Sequence, residues 1–79
     1  MTQTTQLTPT ERKVKEGDLL VVLDRCLLGL EFARNHDMPD SVRRYKERIR
    51  EYNKKLKQFA EGDADLMSIV NGYEQILRI

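Results

Sequence analysis

The sequence predicts an all-α protein, either a small three-helix bundle or a helical hairpin with a packed third helix. Apolar residues recur every three or four positions along most of the chain, which is the period of a helix with a buried face. Two turn segments, at about 35–40 and 61–63, interrupt this pattern and divide the chain into three. At 79 residues the chain has room for a single core. We therefore expect one helical domain at 8–79, preceded by a disordered N-terminal tail at 1–7.

The first helix is expected at about 9–35. Thr8 can cap its start, and Pro9 suits the first helical position. Glu11 stands where the carboxylate of a capping box belongs. Gly17 weakens the early turns of this helix. At the far end, Pro39 disfavours helical geometry at the residue before it, so the chain turns there.

The second helix, at about 40–60, has the most regular apolar pattern in the chain. Spacings of three and four residues alternate along it, as in the heptads of a coiled coil. The members of this seam are Val42, Tyr45, Ile49, Tyr52, Leu56 and Phe59. Their side chains are expected to pack against the neighbouring helices.

The third helix is expected at about 64–78. It follows Gly62, which suits the end of a helix, and Asp63, which can cap the start of the next one. Its apolar residues share one face, which is expected to pack on the core. They are Leu66, Ile69, Val70, Tyr73, Ile76 and Leu77.

The first helix is apolar on two sides. At about 100° per residue, most of its apolar residues fall in one broad sector, which is the expected core face. These residues are Leu19, Leu20, Val22, Leu23, Cys26, Leu27, Leu30 and Ala33. Val21, Leu28 and Phe32 lie together on nearly the opposite side. Because a chain this short has one core, the second side has to be covered by the third helix, by the N-terminal arm or by another molecule.

This second apolar side is the predicted protein-binding site. Its apolar members are Val21, Leu28 and Phe32. Asp24 and Glu31 form an acidic rim on one flank, and Arg25 lies on the opposite flank. Burying each apolar side chain is worth about 1.5–3 kcal/mol, a large share of the stability of a small domain. Gly29, beside it, is expected to let another backbone approach closely. The expected partner is a foreign protein or a second copy of the chain, and the protein would then act as an accessory protein, an inhibitor or an assembly subunit.

Charge is segregated along the chain. Residues 42–58 carry eight Lys and Arg against two Glu, a net charge of +6, whereas 17–41 and 59–79 are each −3. The basic residues either form a solvated face that is neutralised within the molecule or bind nucleic-acid phosphates. The candidates for phosphate binding are Arg43, Arg44, Arg50, Lys54 and Lys57. Base stacking on Tyr45 and Tyr52 is not expected, because both lie in the apolar seam.

The composition argues against catalysis and against a metal site. Cys26 is the only cysteine and His36 the only histidine, so we expect neither an internal disulfide nor a zinc site. Cys26 falls on the core face, and His36 follows the first helix, where a cation is favourable. No pairing of nucleophile with base and no phosphate-binding loop is recognisable. We therefore expect no enzyme activity, no cofactor and no small-molecule substrate.

The sequence also gives no sign of a membrane or export signal. The polar, Thr-rich N-terminus lacks the apolar run of a signal peptide. The apolar stretch at 19–33 is shorter than a membrane span and contains Asp24 and Arg25. We expect a cytoplasmic protein that does not bind membranes.

Two short resemblances to known families stand beside this reading. The stretch NHDMPDSVRRYKERIREYN resembles the middle of type III secretion needle subunits, in which a Pro-containing turn leads into a helix that ends in Glu-Tyr-Asn. That resemblance implies a subunit that polymerises through its helical hairpin, although Gly62 interrupts the chain where a needle subunit continues as helix. The stretches GLEFARNHDMP and VRRYKERIREY resemble parts of the theta subunit of bacterial DNA polymerase III, a small helical protein that binds the proofreading exonuclease subunit, but the helix that this family places between them is absent. The two families are unrelated, and both match equally well through short helical patterns. The sequence therefore assigns the chain to neither family.

Overall fold

A computed structural model describes residues 8–78, which form three α-helices joined by two short turns. Helix α1 spans Pro9–Asn35, α2 spans Pro39–Phe59 and α3 spans Ala64–Arg78. The predicted all-α, three-helix class is confirmed, and the expected helix boundaries hold to within one residue. The predicted disordered tail at 1–7 lies outside the described residues.

The helix ends follow from local sequence. At the start of α1, the Thr8 hydroxyl oxygen accepts a hydrogen bond from the Glu11 N–H at 3.1 Å and donates one to the Glu11 carboxylate at 3.0 Å. Gly62 has a φ of +80°, a conformation that glycine adopts without strain, and it ends the turn between α2 and α3. The Asp63 carboxylate then caps α3 by accepting from the Leu66 N–H at 3.1 Å.

Helix α2 lies between the other two helices and packs against both. All three helices contribute side chains to one buried apolar cluster. Its members are Leu23, Cys26, Leu30, Ile49, Leu56, Ala60, Leu66 and Val70. The described residues of the three helices therefore share one buried core.

The predicted seam of α2 is confirmed as its inward face. Ile49 and Leu56 are fully buried. The other four members, Val42, Tyr45, Tyr52 and Phe59, are partly buried against the core. The core face expected for α1 is likewise buried or half-buried along its length.

One expectation for α3 is wrong. Ile69 is 40% exposed, whereas Met67 packs against the core cluster. The backbone of α3 comes close to that of α2 only, so the buried face of α3 is narrow and centred on Leu66 and Val70. Ile69 lies at the edge of that face.

A buried polar residue, Asn53, joins α2 to α3. Its amide Nδ2 donates a hydrogen bond to the Val70 carbonyl oxygen at 3.0 Å, and its Oδ1 is buried with no hydrogen-bond partner among residues 8–78. Asn53 is absent from the predicted seam because its side chain is polar. Its spacing, four residues after Ile49 and three before Leu56, places it on the same face and could have identified it.

Candidate protein-binding surface

The second apolar side predicted for α1 is open to solvent. Val21 is 53%, Leu28 59% and Phe32 57% exposed. Helix α3 does not cover these side chains, so the first of the three alternatives, coverage by the third helix, is excluded. The N-terminal arm, the other internal candidate, lies mostly outside the described residues.

A fourth residue, missed at first, extends this surface towards the start of α1. Val14 is 58% exposed and lies seven residues before Val21, which is two turns along the same side of the helix. The equal spacing of Val14, Val21 and Leu28 is the signal that could have found it. We call Val14, Val21, Leu28 and Phe32 the apolar stripe. It extends over about 27 Å, since an α-helix rises about 1.5 Å per residue.

The apolar stripe points away from the core because of helix geometry. Leu23 and Leu30 are completely buried, and each lies two residues beyond a stripe residue. Two residues correspond to about 200° around the helix axis. The stripe and the core therefore occupy opposite sides of α1, and α1 cannot bury both within one protomer.

The rim of the apolar stripe is charged. Asp24 and Glu31 are exposed on one flank, and Arg25 is exposed on the other. Within residues 8–78, none of the three takes part in a salt bridge or a side-chain hydrogen bond. These charges are consequently available to a partner that binds the stripe.

The end of the stripe is held in place by His36. The backbone N–H of His36 caps α1 by donating to the carbonyl oxygens of Arg34 and Phe32, and the His36 ring stacks on the Phe32 ring with 4.0 Å between centroids. The favourable placement of a cation at this helix end stays a prediction. The His36 Nδ1 atom lies 2.9 Å from the Phe32 carbonyl oxygen, so this nitrogen carries a proton and donates it. The contact with the backbone oxygen orients the His36 ring, and the stacking of that ring restricts the Phe32 side chain, which lowers the conformational entropy lost when a partner covers Phe32.

Gly29 does not serve the stripe, which corrects an expectation. A Cβ atom on Gly29 would lie 2.4 Å from the Tyr45 ring. The missing side chain therefore makes room for α2 within the protomer. On the helix, Gly29 lies beside the stripe but is turned towards the α1–α2 contact.

The five predicted phosphate-binding residues of α2 are exposed, and most of them have no acidic partner among the described residues. Four of the five predicted phosphate-binding residues share one face, and Arg44 lies about 100° further round the helix. The four are Arg43, Arg50, Lys54 and Lys57. Among the described residues, only two of the five have an acidic partner, with Arg43–Asp40 at 3.3 Å and Lys57–Glu74 at 3.8 Å. The acidic charge of α1 and α3 therefore neutralises little of this face by direct contact.

The two tyrosines of α2 are not arranged as stacking platforms. Tyr45 and Tyr52 are partly buried against the core. Arg48 lies over the Tyr45 ring at 5.9 Å, and Lys55 over the Tyr52 ring at 5.5 Å. The phosphate-binding residues thus lack an adjacent exposed aromatic face on α2.

The lone thiol is part of the core. Cys26 is buried, as expected, and this burial raises the pKa of its thiol above the ordinary value of 9.0, with Arg48 acting in the opposite direction. A raised pKa lowers the thiolate fraction and hence the reactivity. Between residues 8 and 78 we find no cluster of three or more His, Cys, Asp or Glu side chains suited to a metal ion. In that same part of the chain, none of the helices has the length and apolarity of a membrane span.

Comparison with known proteins adds no residue to this surface. No protein-family model, curated protein or solved structure matches the chain. Neither of the two short resemblances noted in the sequence is tested by these comparisons, and the chain is assigned to neither family. The function has to be inferred from the geometry of the described residues.

Proposed function

We propose that this protein is a small, non-enzymatic interaction protein that binds another protein chain through the apolar stripe. The observation that carries the proposal is the alignment of four apolar side chains, each more than half exposed, on the side of α1 opposite the core. Single exposed apolar residues are common on protein surfaces, whereas a contiguous row marks a contact site.

The stripe offers enough apolar surface to drive association. Complete burial of a Val, Leu or Phe side chain is worth about 1.5–3 kcal/mol, and more than half of each stripe side chain is still exposed. A covering partner would therefore gain about 1 kcal/mol or more from each of the four. The unpaired charges on the rim, Asp24, Glu31 and Arg25, would add specificity.

An accessory protein, an inhibitor or an assembly subunit would need only this binding surface. The expected compartment is the cytoplasm, because a single buried thiol, Cys26, suits a reducing environment. None of these three roles requires a cofactor or a small-molecule substrate.

Site-specific photo-crosslinking tests the proposal. A photo-reactive amino acid at position 28 should form a covalent adduct with a protein in the cells that produce the chain, and mass spectrometry should identify that protein. The matched control is the same amino acid at Ile69, an exposed apolar position on α3 away from the stripe. Failure of position 28 to yield more adduct than position 69 would contradict the proposal.

A second candidate function is nucleic-acid binding by α2. The observation that favours it is the shortage of acidic partners for the exposed basic residues of this helix. Gel-shift titrations over a range of salt concentrations test it, because release of counterions from phosphates makes such binding steeply salt-dependent.

The matched variants for this test differ only in position around α2. Replacing Arg50 and Lys54 by Gln should weaken binding and flatten the salt dependence. Replacing Arg48 and Lys55 by Gln removes the same charge from the other side of the helix and should have less effect. Absence of any shift at low salt would exclude the second candidate.

A further inference from the structure

We infer that the apolar stripe binds a second copy of this chain, with α1 packed antiparallel against α1 around a twofold axis at Val21. The inference rests on the proposed function, because it names the partner of the same stripe. A twofold contact requires a surface that is complementary to itself, and the stripe and part of its rim have this property.

The apolar residues are symmetric about Val21. Val14 and Leu28 each lie seven residues away from it, and all three are more than half exposed. A twofold axis at Val21 therefore places Val14 opposite the partner's Leu28, and Leu28 opposite the partner's Val14. Val21 meets its own copy at the centre.

Two pairs of opposite charges on the flanks of the stripe come together under the same operation, whereas Asp24 has no Lys or Arg opposite it. In an antiparallel pair, each flank of α1 meets the same flank of the other copy. On one flank, the axis brings Asp18 to within about one residue, or 1.5 Å along the helix, of the level of the partner's Arg25. On the other flank, Lys13 comes to within about 3 Å of the level of the partner's Glu31. All four are exposed and form no salt bridge within residues 8–78.

Phe32, the largest residue of the stripe, also gains a contact. It reaches the level of the partner's Thr10, where the first turns of α1 form a shallow groove. The residues lining this groove are Pro9, Thr10, Lys13 and Val14. The contact between the two copies would thus include all four stripe residues.

A parallel pair is less favourable. It would place Asp24 beside the partner's Arg25 but leave Asp18 and Glu31 without a Lys or Arg opposite them. It would also align the two helix dipoles, whereas the antiparallel pair opposes them.

The oligomeric state of the full chain tests the inference. Sedimentation equilibrium should show a dimer that dissociates on dilution, since a contact along one helix is smaller than the roughly 800 Å² per partner of a standard interface. Leu28→Glu should weaken dimerisation at least tenfold. Ile69→Glu, the matched control on α3, should leave it unchanged. Circular dichroism should confirm that both variants remain helical.

Disulfide trapping in a Cys26→Ala background tests the orientation. Val21→Cys should cross-link to its own copy. Val14→Cys and Leu28→Cys should cross-link when mixed but not separately, because each would lie about 21 Å from its own copy, beyond the reach of a disulfide. In a parallel pair, Val14→Cys and Leu28→Cys would each cross-link to its own copy, and a mixture of the two would give no cross-link between positions 14 and 28.

The outcomes separate this inference from the proposed function. A wild-type chain that stays monomeric at every accessible concentration, or the parallel pattern of cross-links, would overturn the antiparallel dimer. Photo-crosslinking from position 28 to a foreign protein alone would overturn it as well, while leaving the proposed function in place. A monomer with no adduct from position 28 would overturn both.

Discussion

Replacing Gly29 with alanine tests the close contact between α1 and α2 at Tyr45, which fixes the side of α1 that faces the core and leaves the apolar stripe on the other side. The new Cβ would lie 2.4 Å from the Tyr45 ring, against 3.4–4 Å for an ordinary contact, so the ring has to move by about 1 Å. Such overpacking typically costs about 1–3 kcal/mol, which outweighs the gain of about 1 kcal/mol from replacing a helical glycine. We expect the free energy of unfolding to fall by about 1 kcal/mol.

Gly17→Ala is the matched control for this prediction. No atom lies within 4 Å of a Cβ at Gly17, so this variant should gain up to about 1 kcal/mol. Thermal unfolding followed by circular dichroism should therefore shift in opposite directions for the two variants, by about 4–8 °C for each kcal/mol. Adding Tyr45→Ala should remove the penalty of Gly29→Ala. Equal stabilisation by Gly29→Ala and Gly17→Ala would show that Tyr45 does not restrict the space at Gly29.

Three further predictions concern stability. Burial raises the pKa of Cys26 above 9.0 and that of Tyr73 above 10.0, so the folded state keeps these protons to higher pH than the unfolded state does. The stability that these groups contribute is complete below about pH 9, and the free energy of unfolding from urea titrations should fall at higher pH, by less in the Cys26→Ala, Tyr73→Phe variant. Asp63→Ala removes the cap of α3 and should lower the free energy of unfolding by about 1 kcal/mol, whereas an unchanged urea midpoint would argue against the cap. Asn53→Asp replaces the buried donor with a charge and should cost about 3 kcal/mol, while Asn53→Leu should stay within about 1 kcal/mol of wild type; equal midpoints for these two variants would contradict the account.

Much of the fold could be predicted because its determinants are local. Thr8, Gly62 and Asp63 define helix ends through contacts within a few residues, and the structure shows those contacts. The seam of α2 could be predicted because the three- and four-residue spacing of its apolar residues identifies the buried face of a helix. Ile69 of α3 was wrongly expected to be buried, because the spacing of apolar residues does not give the width of the buried face of a helix.

The sequence by itself determined the three helices, their caps and the presence of two opposed apolar sides on α1, because each depends on residues close together in the chain. Only the tertiary structure decided that α2 is the central helix, that α3 leaves Leu28 and Phe32 open to solvent, and that Gly29 makes room for Tyr45. These features depend on how whole helices pack against each other. Helix packing depends on how the shapes of side chains that are far apart in sequence fit together. A local sequence pattern contains no information on that fit.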